Sequence, residues 1–304
     1  MKKNKVLITG ANGFIGSRLV QRLLANEFEI LALTYGDNQP EYPHTIVSLN
    51  NRAELERIFA EYRPSVVVHL AAIAFAVYAN PAEVYNVNVC GTENLLAAAK
   101  KFTPGSRVIL TSTAGVYGNQ AYEVYNETLP FNPANHYSYS KMITEFISRF
   151  YQDVLDVSIV RPFNIIGSGQ NVKFIVPKLV KHYAECTPSI ELGNMDSVRD
   201  YVDVDYCISV IEQLIAADSV PDILNICTGI PHSGMDLLRI LSELTGHYPE
   251  IIIKDTFVRN NEVWRMVGCN KRLEKFMNGR GAVAKKLEEV LKDMLATIKN
   301  VKNV

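Results

Sequence analysis

No stretch of the 304-residue chain is long and apolar enough to span a bilayer. The longest run, VVVHLAAIAFAVY at 66–78, is broken by His69 and falls short of the ~20 residues a spanning helix needs. An excess of one charge sign is also missing. The formal net charge is -1, so neither a nucleic acid nor an anionic membrane is expected as a partner. The five cysteines (Cys90, Cys186, Cys207, Cys227, Cys269) have no metal-ligand spacing. They read as reduced, small apolar residues of a cytoplasmic protein, and no metal is expected. The opening MKKNKVLITG has lysines, but its apolar stretch stops at a glycine turn, so it reads as a first strand and not a signal peptide. Repeats and low-complexity segments are absent. What remains is an ordinary soluble composition, 48% hydrophobic and 21% charged, long enough for one large or two closely joined domains.

The first half alternates short β-branched runs with longer helical patterns. Strands are expected at Val6–Thr9, Ile30–Thr34, Val66–Leu70, Val108–Ser112 and Val157–Arg161. Helices are expected at Gly13–Ala25, Arg52–Tyr62, Pro81–Lys100 and Tyr137–Leu155. Continuous apolar runs such as SVVVHLA and RVILTST suit strands covered on both faces. This predicts an α/β fold, a doubly wound parallel sheet of the Rossmann type. After Arg161, Pro162, Gly167, Gly169, Pro177, Pro188 and Gly193 replace the regular alternation with turns. VPDILNICTG reads as one more strand returning to the sheet. The division expected is a dinucleotide-binding domain over 1–162 plus about 204–227, and a smaller α+β substrate-binding domain over 163–203 and 228–304.

Three stretches carry chemistry. VLITGANGFIG places Gly10, Gly13 and Gly16 between a strand and a helix, where glycines let the backbone approach a pyrophosphate on the helix N-terminus. The first gap is one residue longer than in the usual dinucleotide fingerprint. The second strand ends in Thr34 and Tyr35, with no acid to bind a ribose 2′-hydroxyl, which favours NADP(H) and leaves NAD(H) as a substitute. ILTSTAGVYG brings Ser112 and Thr113 to the carboxyl edge of the sheet. HYSYSKMITEF has the helical period of Met142, Ile143, Phe146, Ile147 and Phe150. On that helix Tyr137 and Lys141 meet one turn apart. Tyr139 lies roughly 200° from Tyr137, inside the apolar stripe, and is expected in the core.

TGANGFIG, VVHLAA, NVNVCGTENLL, TSTAGVYG, YSYSK and RPFNIIGSGQ occur in this order. Together they resemble the extended short-chain dehydrogenase/reductases of the nucleotide-sugar epimerase/dehydratase branch, over nearly the whole chain. The resemblance implies a Thr113–Tyr137–Lys141 catalytic site. It implies a cofactor site of Gly10, Asn12, Gly13, Phe14, Ile15, Gly16, Thr34, Leu49, Asn50, Leu70, Ala71, Ala72 and Asn88, with Tyr137 and Lys141. Substrate contacts are implied for Thr113, Asn164, Arg199, Arg259 and Glu262. Lys141 and an oxidised nicotinamide would draw the tyrosine's pKa down from ~10. The substrate is a nucleotide-diphosphate sugar, and a homodimer through helices 81–100 and 137–155 is expected.

Within the branch, relatives that dehydrate at C5 and C6 carry an Asp-Glu or Ser-Glu pair directly after the active-site threonine. Here Ala114 and Gly115 stand there, and neither can move a proton. The second half is most similar to GDP-4-keto-6-deoxy-mannose reductases and related dTDP-sugar 4-ketoreductases. The expected reaction is therefore NAD(P)H-dependent reduction of a 4-keto-6-deoxyhexose to an NDP-6-deoxyhexose for glycan assembly. An NAD-dependent 4-epimerase is the alternative. A dinucleotide-binding redox sensor without catalysis is a further one, which the presence of both Tyr137 and Lys141 disfavours.

Overall fold

The computed structural model describes residues 5–37, 39–74, 80–254 and 263–302. In chain order its first elements are β1 (Lys5–Thr9), α1 (Phe14–Ala25), β2 (Glu29–Thr34), β3 (His44–Ile46), α2 (Arg52–Tyr62), β4 (Val66–His69), α3 (Pro81–Tyr85), α4 (Gly91–Phe102), β5 (Arg107–Thr111), α5 (His136–Ser148) and β6 (Asp156–Pro162). There follow β7 (Asn164–Ile166), α6 (Ile175–Glu185), β8 (Ser189–Leu192), β9 (Val198–Arg199), β10 (Tyr201–Asp203), α7 (Val204–Ala216), β11 (Ile223–Ile226), β12 (His232–Ser233), α8 (Gly234–Thr245), β13 (Glu250–Ile253), β14 (Arg265–Met266), α9 (Lys271–Met277) and α10 (Leu287–Lys302).

Seven strands form one sheet in the order β11-β6-β5-β4-β1-β2-β3. The pairings among β3, β2, β1, β4, β5 and β6 are all parallel. At the β11 edge, the amides of Ile159 and Phe163 bond the carbonyls of Asp222 and Ile226, advancing in step, so this strand is parallel too. The order reverses between β1 and β4, the switch point where ligands bind in doubly wound sheets. Val6, Leu7 and Ile8 of β1 and Val66, Val67 and Val68 of β4 are all buried, as strands covered on both faces must be. One core packs Leu7, Val67 and Val108 against Leu55, Phe59, Leu95 and Leu96 of the covering helices.

The chain divides into two compact units. The first holds Met1–Gly118, Pro130–Pro162 and Ile208–Leu224; the second holds Asn119–Leu129, Phe163–Cys207 and Asn225–Val304. The second unit has its own core, in which α6, α8 and α10 contribute Leu179, Leu241 and Leu291. Its short sheets pair β10 with β7, β12 and β14 with β9, and β13 with β8. Among the described residues no helix is long and apolar enough to cross a membrane.

Two expectations from the sequence are corrected. The helix expected over Pro81–Lys100 is not uniform, because Asn86–Cys90 forms a π turn between α3 and α4. The larger correction concerns α5. Its aromatic residues point outward: Tyr139 is 45% exposed and Phe146 42%, and Phe150 just beyond the helix is 76% exposed, while Ile147 packs against the core. Its buried face is Ser138, Ser140, Lys141, Thr144, Glu145 and Ser148. Apolar-in patterning fails here because Ser140, Lys141, Thr144, Glu145 and Ser148 on the inner face all have hydrogen-bond partners. Ser140, Thr144 and Ser148 donate to the carbonyls of Tyr137, Lys141 and Glu145 at 2.7–2.9 Å. Lys141 and Glu145 reach across to the sheet.

Candidate active site

Gly10 ends β1 at φ +67°, a conformation that side chains disfavour. A Cβ there would lie 2.7 Å from the Ala71 amide nitrogen, so the two loops touch only because the side chain is missing. Gly13 caps α1 with no side-chain hydrogen bond, leaving first-turn amides of that helix for an anion. Asn12 Nδ2 donates to the Tyr35 carbonyl at 2.9 Å, which ties the turn to the end of β2. Thr34 is buried and its hydroxyl donates to Gln39 Oε1 at 2.8 Å. Leu49 is buried, and its carbonyl accepts from Asn94 Nδ2 at 3.0 Å, while Asn50 is exposed. Leu70, Ala71 and Ala72 follow β4 and are half-buried. These residues fit a dinucleotide: a close-approach glycine, an uncapped helix terminus and a pocketed second-strand end.

The π turn places Asn88 inside the fold. Asn88 Oδ1 accepts from the Ile73 amide at 2.8 Å, and Nδ2 donates to Ser140 Oγ at 2.9 Å. The same side chain therefore braces the loop after β4 against α5.

The three expected catalytic residues lie in the first unit. Thr113 starts a 3-10 turn, Ala114–Tyr117, and its Oγ1 accepts from the Gly115 amide at 3.1 Å. Asn135 caps α5 by accepting from the Ser138 amide at 2.9 Å, which fixes the turn carrying Tyr137. Burial pushes the Tyr137 phenol up to about 12, and a hydrogen bond with Thr113 opposes this. Lys141 is buried, and its Nζ donates to the Thr111 carbonyl at 2.8 Å. Burial lowers this amine to about 8, against the pull of the Glu145 carboxylate. The sequence led us to expect a lowered phenol; in the protein by itself burial outweighs the opposing effects. Tyr137 is thus held protonated at neutral pH, as a proton donor must be. His136 is the first residue of α5, and its Nδ1 lies 3.1 Å from the Tyr85 hydroxyl.

Beneath this face lies a pair the sequence reading missed. Arg161 on β6 is 2% exposed and Glu145 on α5 1%. Arg161 Nη2 and Nε meet the two oxygens of Glu145 at 2.6 and 3.0 Å. Ser112 Oγ donates to the same carboxylate, and Arg161 Nη1 donates to the Tyr117 hydroxyl at 2.8 Å. The signal was available: Glu145 follows Lys141 by four residues, on one helical face.

The expected substrate residues belong to the second unit. Asn164 begins β7, and its amide donates to the Asp200 carbonyl at 3.0 Å. Arg199 ends β9, in register with His232 and Met266. Its neighbour Asp200 is buried and spends its carboxylate on the loops around it. It accepts from Thr228 N and Oγ1, Gly229 N and Gly268 N at 2.6–3.2 Å. Arg259 and Glu262 lie outside the described residues, as do 75–79 of the apolar segment after β4. Among the described residues no cluster of three or more His, Cys, Asp or Glu could hold a metal ion.

Comparison with known proteins places these features in a family. A GDP-6-deoxy-D-talose 4-dehydrogenase of Aggregatibacter actinomycetemcomitans is 37% identical over 271 residues, 88% of this chain and 90% of its own. A GDP-6-deoxy-D-mannose reductase of Pseudomonas aeruginosa is 27% identical over 281 residues, 88% of this chain and 89% of its own. The crystal structure of the UDP-glucose 4-epimerase of Thermotoga maritima with UDP-glucose superimposes with a TM-score of 0.85, at 26% identity, covering 98% of this chain and 99% of that one. Residues 6–227 match the NAD dependent epimerase/dehydratase family, and with its parallel sheet and its glycine turn the chain belongs to that family, the extended short-chain dehydrogenase/reductases.

Proposed function

We propose that the protein reduces the C4 keto group of a nucleotide-activated 4-keto-6-deoxyhexose, with NAD(P)H, to the corresponding NDP-6-deoxyhexose for glycan biosynthesis. The observation that carries this reading is geometric: the Tyr137 phenol is hydrogen-bonded with Thr113, one turn of α5 from the buried Lys141, whose Nζ is fixed on the Thr111 carbonyl. Such a phenol is set to give a proton to an oxygen that gains charge. When bound, a nicotinamide supplies the hydride to C4. Tyr137 then gives its proton to the C4 oxygen, Thr113 steadies that oxygen by a hydrogen bond, and Lys141 holds the cofactor's ribose. The first unit takes the role of dinucleotide binding and the second that of nucleotide-sugar binding, through Asn164, Arg199, Arg259 and Glu262.

The named relatives support the sugar class. A 4-dehydrogenase of GDP-6-deoxy-talose works on the same C4 bond in the opposite direction, and the second relative is a reductase. Both are named for GDP-sugars, which favours guanosine over thymidine as the nucleotide. Dehydration is disfavoured because Ala114 and Gly115 carry no group that could move a proton; a side chain at Gly115 would also press on Ser138 Oγ, 2.5 Å from its Cβ. NADPH is preferred over NADH in this reading, because Thr34 occupies the position where an acid would repel a 2′-phosphate. The protein works in the cytoplasm as a homodimer, a reading supported by the outward aromatic face of α5.

The test is loss of NADPH absorbance with GDP- and dTDP-4-keto-6-deoxyhexoses, each run also with NADH. Turnover with either sugar supports the proposal. Conversion of UDP-glucose to UDP-galactose without added cofactor, and no reaction with the keto sugars, would replace it with the epimerase.

A further inference from the structure

A buried chain of hydrogen bonds runs through the first unit behind the candidate site. Thr9, His69 and Thr92 are each at most 1% exposed. The Ala71 amide donates to Thr9 Oγ1 at 3.2 Å, and Thr9 Oγ1 lies 2.7 Å from His69 Nδ1. His69 Nε2 lies 2.9 Å from Thr92 Oγ1, which donates to the Asn88 carbonyl at 2.5 Å. Asn88 Nδ2 continues to Ser140 Oγ at 2.9 Å, and Ser140 donates to the Tyr137 carbonyl at 2.7 Å.

The proton directions follow from counting. Thr92 has one hydroxyl hydrogen, and it goes to Asn88, so Thr92 must accept from His69 Nε2–H. His69 Nδ1 then accepts from the Thr9 hydroxyl, which in turn accepts from Ala71. Every donor is used once, and the ring is the neutral Nε2–H tautomer. Burial, with the nearby Lys141 charge, lowers His69 to about 3, so this tautomer holds at any working pH.

The two ends of the chain touch the two halves of the site. Ala71 is the residue whose backbone Gly10 approaches without a side chain. Tyr137 is the proposed proton donor. We propose that His69, with Thr9 and Thr92, is a positioning relay that holds the dinucleotide turn in register with the Tyr137–Lys141 helix. These residues are buried and act through Gly10, Asn88 and α5. The inference rests on the catalytic reading above.

Thr92→Val keeps the shape and removes the hydroxyl, leaving His69 Nε2–H and the Asn88 carbonyl without their partner. Calorimetric titration with NADPH should show affinity reduced about tenfold, the scale of one lost buried hydrogen bond. With the 4-keto sugar, kcat should fall at least about tenfold while the sugar's KM stays within about threefold, as small misplacements of reacting groups act on rate. Thr92→Ser should restore both quantities. Where Thr92→Val does not fold, Thr92→Ala is read by the same two measurements. The relay is refuted if the hydroxyl-free variant lowers only the melting temperature and leaves NADPH affinity and kcat within about twofold of wild type. Tyr137→Phe separates the two claims. If it retains full activity, the catalytic reading fails; if it is inactive while Thr92→Val is normal, only the relay fails.

Discussion

Replacing Glu145 with glutamine would remove one charge and almost no volume. Arg161 would stay where it is, buried between β6 and α5, and lose its counter-ion. Its bonds to Glu145 would weaken, and the one to the Tyr117 hydroxyl would remain. The ring faces of Tyr117 and Phe131, at 4.9 and 5.0 Å, offset only part of an unpaired guanidinium. Breaking a buried pair by removing one partner costs about 3–5 kcal/mol. At roughly 2–4 °C per kcal/mol for a unit of this size, Glu145→Gln should lower the melting temperature by about 6–20 °C. The double variant Glu145→Met with Arg161→Met should recover most of that loss, because no charge is left buried. Differential scanning calorimetry of wild type, Glu145→Met, Arg161→Met and the double variant gives the coupling directly. A single variant melting within about 2 °C of wild type would show that the pair is not what fastens α5 to the sheet.

Tyr137→Phe should lose at least about 10²-fold in kcat with the melting temperature unchanged, since only a proton donor is removed. Lys141→Met should abolish turnover and yet stabilise the protein at pH 7. The lysine's drop from 10.5 to about 8 bounds the gain at about 3 kcal/mol. Because the folded value is the lower one, this penalty on wild type is full below pH 8 and disappears as the pH rises to 10.5, so thermal melts of both proteins should converge there. Phe150→Glu, at the most exposed aromatic on the α5 side, should shift light scattering from dimer to monomer; an unchanged dimer would place the interface elsewhere.

The sheet was legible because its signal is local. VVVH and RVILT are apolar on both faces, and only a strand covered on both sides needs that pattern. The glycine turn was legible for a similar reason, since Gly10 must adopt a positive φ beside Ala71. The orientation of α5 was not. Its period was correct, but assigning its apolar stripe to the core assumes that helices bury what is apolar. Here a lysine and a glutamate are buried because Thr111, Ser112 and Arg161 supply their partners, and Ser140, Thr144 and Ser148 because they bond the helix's own carbonyls; part of that information sits 33 residues away in Ser112. Tyr139 and Phe146 are left outside as a consequence. The membership of Asn119–Leu129 in the second unit was equally hidden, because Tyr125 bonds Val267 and Cys269 far along the chain.

The π turn at Asn86–Cys90 has a bearing on descent. A π turn accommodates one residue beyond what a regular helix would use over the same rise. Removing a single residue there would rewind the segment and rotate everything before it by about 100°, swinging Asn88 away from Ile73 and Ser140. Homologues that differ in length by one at this point should therefore lack the asparagine brace as well, so a one-letter gap in an alignment becomes a marker for how the active helix is supported.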